Sequence, residues 1–216
     1  MSTWAVLPVR ALQGGKQRLA EEFNEQQRVA LCRALLNDAL SALLGSDYLA
    51  GILVVTGDAS VMAMAEQAGV TVLKESGEGL NAAVTEGACW VRDRGADTVL
   101  VMHADLPLVS SLVIDELIRC HRLVSGPHCT LVPDRHEQGT NALVLSPPDA
   151  MPFAFGENSL QQHVSIAAQQ GLRCAVLPNI ELGCDLDTPE DIQALMLFAS
   201  QCGGQAVELL DAYRFE

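Results

Sequence analysis

Basic residues are scarce in this chain: 13 Lys and Arg stand against 27 Asp and Glu, a formal net charge of −14. That balance excludes broad nucleic-acid or membrane-surface binding, which needs a basic footprint. No window supplies the roughly 18 apolar residues that a membrane-spanning helix needs. The opening, Met1-Ser-Thr-Trp-Ala-Val-Leu-Pro-Val-Arg10, lacks the basic start and small-residue cleavage site of a secretory signal, so a cytoplasmic location is expected. The seven cysteines are odd in number and contain no C-x-x-C pair. They read as buried small side chains in a reducing compartment. Internal repeats and low-complexity segments are absent as well.

What is present suits one good-sized core. The 216 residues are 49% hydrophobic and 19% charged, which predicts a single domain across 1–216. The charge is uneven. Residues 1–18 hold Arg10, Lys16 and Arg18 and no acid, whereas 181–216 hold eight acids against Arg214 alone. A basic segment in an acidic protein reads either as a local anion site or as ordinary solvated surface.

Apolar runs predict strands at Trp4–Val9, Gly51–Thr56, Gly69–Leu73, Thr98–Met102, His128–Val132, Ala142–Leu145 and Arg173–Leu177. Helical spacing predicts helices over 21–44, 59–68, Leu80–Arg94, Ser111–Leu123, 159–170 and Thr188–Ala199, the last opened by Pro189. Residues 200–216 read as a loose tail or a dimer contact, which makes a homodimer a candidate. Continuous apolar strands alternating with helices predict an α/β fold, a mostly parallel sheet with helices on both faces. Ligands of such sheets bind outside the carboxyl ends of the strands.

Five segments there could carry chemistry. Arg10–Leu19 is a basic loop with Gly14-Gly15, able to approach an anion closely, but it matches neither G-x-x-x-x-G-K-[ST] nor G-x-G-x-x-G. Gly79 and Asn81 open a helix and could present amides to a base or ribose. In His103-Ala-Asp105-Leu-Pro107 a buried strand ends on a carboxylate, which is costly without a positive neighbour. A hard cation such as Mg²⁺ would answer that. His103 is a second candidate ligand there, although such a histidine is more commonly a packed or exposed side chain. Asp185 and Asp187, two apart in an extended stretch, point the same way and repel unless a cation lies between them. Asp187-Thr188-Pro189-Glu190 also reads as a helix cap, which leaves Asp185 unexplained. Thr140 and Asn141 precede a strand, and Gly156 and Ser159 sit at a loop-to-helix junction. Both places suit a small phosphate or carboxylate, and turn chemistry explains them equally well.

Six segments in order resemble the CofC/FbiD guanylyltransferases of coenzyme F-420 biosynthesis. They are Leu7-Pro8-Val9-Arg10 through Leu19, Gly77–Ala83, Ala104–Pro107, Val132–Leu143, Phe155–His163 and Asp185–Asp191, covering about residues 4–197. The resemblance implies a Rossmann-like nucleotidyltransferase fold. It also implies transfer of GMP from GTP to the phosphate of a small phosphorylated acid: phosphoenolpyruvate, 2-phospho-L-lactate or 3-phospho-D-glycerate. By motif, Asp105, Asp185 and Asp187 would bind Mg²⁺. Arg10 and Lys16, with Arg18 beside them, would neutralise the triphosphate, and Arg10, Lys16 and Asp105 would serve catalysis. Gly79 and Asn81 would lie near the guanosine, and Thr140, Gly156 and Ser159 would hold the acceptor acid. Two departures stand out: Arg10 replaces a common lysine, and His103 replaces a frequent proline. The alternatives are a molybdopterin or sugar-phosphate nucleotidyltransferase, disfavoured because L-A-G-G-x-S-x-R-[MF]-G is missing, and a catalytically idle nucleotide-binding domain.

Overall fold

The computed structural model describes residues 2–198 and 204–213. Its elements run β1 (Thr3–Pro8), α1 (Glu25–Leu44), β2 (Gly51–Thr56), α2 (Ala59–Gln67), β3 (Thr71–Lys74), α3 (Leu80–Arg92), β4 (Thr98–Met102) and α4 (Ser111–His121). They continue with β5 (His128–Pro133), β6 (Thr140–Ser146), α5 (Ser159–Gln169), β7 (Arg173–Val176), α6 (Ile180–Gly183), α7 (Pro189–Met196) and α8 (Gln205–Tyr213). The strands form one seven-stranded sheet in the order β3-β2-β1-β4-β6-β5-β7.

Most pairings are parallel, as the apolar runs predict, but β6 runs antiparallel to both of its neighbours. Its link to β5 explains the reversal. Only residues 134–139 separate the two strands, too few for the crossover that a parallel pair needs. Alternate residues of β1 enter opposite cores. Ala5 and Leu7 pack with Leu36, Leu40 and Leu43 of α1 and Ile114 and Ile118 of α4. Val6 packs with Val84 and Val91 of α3 on the other face. Burial on both faces is why the strand sequences are uniformly apolar rather than alternating.

Several boundaries differ from expectation. α1 begins at Glu25, not 21, because Asn24 and Gln27 form a reciprocal cap, each side chain accepting from the other's backbone N–H. Thr140 and Asn141 lie inside β6 rather than before it. The short α6 has no periodic pattern to announce it.

Residues 204–213 are not a loose tail. Asp38 of α1 accepts hydrogen bonds from the Gln205 and Ala206 N–H groups at 2.9 Å each, supplying the cap of α8 from across the chain. Ala206, Val207 and Leu210 are buried with Leu31, Ala34 and Leu35 of α1. The rest of the tail expectation, 200–203 and 214–216, lies outside the described residues.

Of the cysteines described, Cys129 and Cys184 are buried, whereas Cys32, Cys89, Cys120 and Cys174 are half-buried, so the expectation of uniform burial holds for two. Among the described residues no helix is long and apolar enough to cross a membrane.

Candidate active site

A cavity of about 250 Å³ opens at the carboxyl ends of β1 and β4. The loop after β1 supplies Arg10, Gly15 and Lys16 to its wall, and the loop after β4 supplies His103 and Asp105. Asp187 reaches it from the segment before α7, and Leu80 from the start of α3. Four expected residues, Arg10, Lys16, Asp105 and Asp187, are thus brought together from distant parts of the chain. Arg18 sits in a 3₁₀ turn, exposed and outside this lining.

Lys16 is the centre of the arrangement. Its backbone is left-handed, φ 53°, an uncommon state for a residue with a Cβ. Its ammonium donates to Asp105 Oδ2 and to Asp187 Oδ1, both at 2.7 Å. Burial opposes the charge on Lys16, but the two carboxylates outweigh it and hold the ammonium above the usual lysine range. The same balance acts on Asp105. Burial raises its pKa, and the Lys16 charge and hydrogen bond, together with His103, more than reverse that, so the carboxyl lies below its ordinary value. A positive neighbour for the strand-end carboxylate therefore exists within the chain.

Asp185 and Asp187 do not share one partner. Leu186 between them is fully buried, and its N–H donates to the Asp105 carbonyl at 3.1 Å, tying the two segments together. Asp187 turns to Lys16. Asp185 accepts from Asn141 Nδ2 at 3.2 Å, and burial, with the Asp105 charge nearby, raises its pKa. Thr188 caps α7 in a reciprocal box with Asp191. Asp191 also accepts from the Asp187 N–H at 2.9 Å and pairs with Arg135 at 2.6 Å, which fixes the Asp187 backbone.

Among the described residues, no three His, Cys, Asp or Glu side chains converge as a group that could hold a metal ion. The three expected ligands are therefore not an assembled set. The physical reason is Lys16, whose ammonium stands between two of them. One feature of this site fits a cation nonetheless: Asp105 Oδ1 is shut off from solvent and has no hydrogen-bond partner. Orphaned acceptors of this kind are rare in native folds and mark places where a ligand completes the bonding.

The expected nucleoside and acceptor residues are placed differently. Gly79 precedes α3 with φ 93°, a left-handed conformation in which a side chain would be strained. Both ends of the Asn81 amide bond Phe155: Nδ2 donates to the Phe155 carbonyl at 2.9 Å, and Oδ1 accepts from its N–H at 2.7 Å. Asn81 therefore clamps the segment before Gly156 and keeps one Nδ2 hydrogen. Thr140 and Ser159 are each 2% exposed. Ser159 Oγ accepts from the Thr140 N–H at 2.9 Å, and Thr140 Oγ1 bonds His163 Nδ1 at 3.0 Å. The Ala154 N–H donates to His163 Nε2 at 3.0 Å, so Nδ1 carries the hydrogen and donates to Thr140. Burial, helped by His103, pushes the pKa of His163 down to about 4 and keeps it neutral. Gly156 is exposed, with φ 133°.

Sequence reasoning gave His163 no role. The signal was its spacing: Ser159 and His163 are four apart on α5 and share a face. Asn141, expected beside Thr140 at a place suited to a small anion, instead gives its amide to the Leu182 carbonyl at 3.1 Å and to Asp185.

Comparison with known proteins now adds to this geometry. The phosphoenolpyruvate guanylyltransferase of Conexibacter woesei is 36% identical over 208 residues, covering 95% of this chain and 93% of that protein. The 3-phospho-D-glycerate guanylyltransferase of Colwellia psychrerythraea is 32% identical, covering 93% and 94%. A nucleotide-diphospho-sugar transferase structure from Desulfovibrio desulfuricans G20 superposes with TM-score 0.81 at 17% identity, covering 100% of this chain and 96% of that one. Glucosyl-3-phosphoglycerate synthase from Mycobacterium tuberculosis, solved with Mg²⁺ and uridine diphosphate, superposes with TM-score 0.62 at 13% identity, covering 93% and 79%. These two likenesses show the fold alone, a mostly parallel α/β sheet covered by helices. The family model described as "Guanylyl transferase CofC like" matches residues 3–216, and the chain belongs to that family.

Proposed function

We propose that the protein is a guanylyltransferase of coenzyme F-420 biosynthesis, moving GMP from GTP to the phosphate of a small phosphorylated carboxylic acid. Phosphoenolpyruvate is the first choice of acceptor, because it is the acceptor named for the Conexibacter relative. 3-Phospho-D-glycerate and 2-phospho-L-lactate are the others, each named for a relative. The observation that carries the reading is the Lys16 ammonium held between Asp105 and Asp187 in an open cavity at the strand ends.

An acceptor phosphate oxygen attacks the α-phosphorus of GTP. The bond to the β-phosphate oxygen breaks, and diphosphate leaves. The nucleophile is already an anion, so no general base is needed, and none is paired with a nucleophilic side chain in the cavity. The protein's work is to bring two polyanions together in line and to offset their charge. Arg10 and Lys16 provide the cations. Asp105 would hold Mg²⁺ through its unpartnered oxygen, with Asp187 and Asp185 beside it. When bound, the ion supplies charge neutralisation at the phosphates. Thr140 and Ser159 each retain a hydroxyl hydrogen for the acceptor acid beside the Gly156 amide.

The test is diphosphate release from purified protein with Mg²⁺ and GTP, each of the three acids in turn, and ATP and CTP as controls. Release with GTP and one acid is expected. No release with any pair, from protein shown to bind GTP, would refute the acceptor class. No GTP binding would refute the whole reading.

A further inference from the structure

Two residues that line the cavity each hold one polar atom that is shut off from solvent and without a hydrogen-bond partner: Asp105 Oδ1 and His103 Nε2. The cation reading accounts for the first. It leaves the second without a role, and His103 belongs to no part of the chemistry derived above.

The position of His103 is well determined. Its N–H donates to the Asn141 carbonyl at 3.1 Å, which fixes the backbone at the end of β4. Its ring lies tilted against Phe155, centroids 5.3 Å apart. Phe155 meets His163 edge-on at 4.9 Å, and its backbone is held on both sides by Asn81. His103 is therefore held at its backbone and packed at its ring. Asp105 follows it by two residues in the cavity lining, and Phe155, its ring neighbour, precedes Gly156. A nitrogen held there without a partner is a group waiting for a ligand atom.

We propose that His103 is a specificity residue for the acceptor, its Nε2–H donating to an anionic oxygen of the phosphorylated acid. Selectivity follows from the unmet hydrogen bond, because an acid that fails to reach Nε2 leaves it buried and unpaired. This rests on the guanylyltransferase reading, and the experiment separates the two.

Binding of phosphoenolpyruvate is measured by calorimetry on wild type, His103→Leu and His103→Gln, with Mg²⁺ and a non-hydrolysable GTP analogue present. Diphosphate release is followed on the same preparations. In His103→Leu the acid should bind about tenfold more weakly, with its KM raised alike and the KM for GTP within about twofold of wild type. Gln keeps an N–H donor and should recover most of the loss. Unchanged acid binding in His103→Leu overturns the proposal. So does an equal loss for acid and GTP, or a failure of Gln to rescue in a variant whose melting temperature matches wild type. Wild type that binds the acid but releases no diphosphate would overturn the transfer reading, and the Leu and Gln affinities would still decide His103. Wild type that binds no acid overturns both.

Discussion

Two polar clusters each reach the Phe155 ring through a histidine, and they are built on opposite terms. On one side, Lys16, Asp105, Asp187 and His103 line an open cavity, and two of their polar atoms have no partner. On the other, Thr140, Ser159 and His163 are buried, and each is hydrogen-bonded to another member or to the backbone. A satisfied network stabilises the fold that contains it, whereas a half-satisfied one costs free energy until a ligand arrives. The difference teaches that the first cluster is left open for what it binds, whereas the second is tied first into the loop that carries Gly156 and has only the Thr140 and Ser159 hydroxyl hydrogens left to offer. Substitutions on the cavity side should therefore show in turnover, and those on the Thr140 side first in stability.

The largest expected effect tests that division directly. Asp105→Asn should lower turnover by at least about 10³-fold, because charge stabilisation at the reacting phosphates is the main catalytic contribution available. Its circular dichroism should match wild type, and near-normal turnover in that folded protein would erase the distinction between the clusters. Next comes Lys16→Met, which leaves Asp105 and Asp187 facing each other without their cation. Breaking such a pair should cost about 3–5 kcal/mol of stability without ligand. If the carboxylates can share a metal, millimolar Mg²⁺ should raise the melting temperature of this variant more than that of wild type. Equal shifts would speak against a shared ion.

A smaller effect belongs to the closed cluster. His163 has a pKa of about 4 in the fold against 6.5 for a free side chain. Between those values the unfolded chain binds a proton that the folded chain refuses. Stability is fully present above pH 6.5 and falls as pH drops toward 4, by on the order of 3 kcal/mol. His121, lowered to about 3 chiefly by burial, acts in the same direction, and Asp185, raised by burial, acts in the opposite one. Urea unfolding of wild type and His163→Gln from pH 4 to 7 isolates the His163 share, and parallel curves would refute it. The smallest is Ser159→Ala, which removes the acceptor for the Thr140 N–H and should cost about 1 kcal/mol. Its effect on the KM for the acceptor should exceed its effect on the KM for GTP, and steady-state kinetics would show whether the closed cluster touches substrate at all.

The sheet was readable because burial on both faces leaves apolar runs that turn residues bracket, as in Val99–Met102. The direction of β6 was not, since an antiparallel strand buried on both sides has the same composition as a parallel one. The cavity residues were readable as types: a basic glycine loop, a strand-end carboxylate, a paired carboxylate. Their mutual distances were not, and so the Lys16 ammonium came as the unforeseen partner where the sequence pointed to a metal. The turning of Thr140 and Ser159 toward each other was hidden for a different reason. Hydroxyls that satisfy a fold and hydroxyls that hold a ligand look alike until their neighbours are known.

The Lys16–Asp187 ion pair spans 171 positions, and Leu35, which lines the same cavity, packs in one cluster with Val207 of α8. Contacts of such long separation carry the largest loop-closure cost in the chain. A growing polypeptide cannot complete this cavity while most of it is already folded. The N-terminal basic loop can meet Asp105 first, and its second carboxylate comes only with Asp187. The cavity wall is thus complete only when segments from both ends of the chain are present.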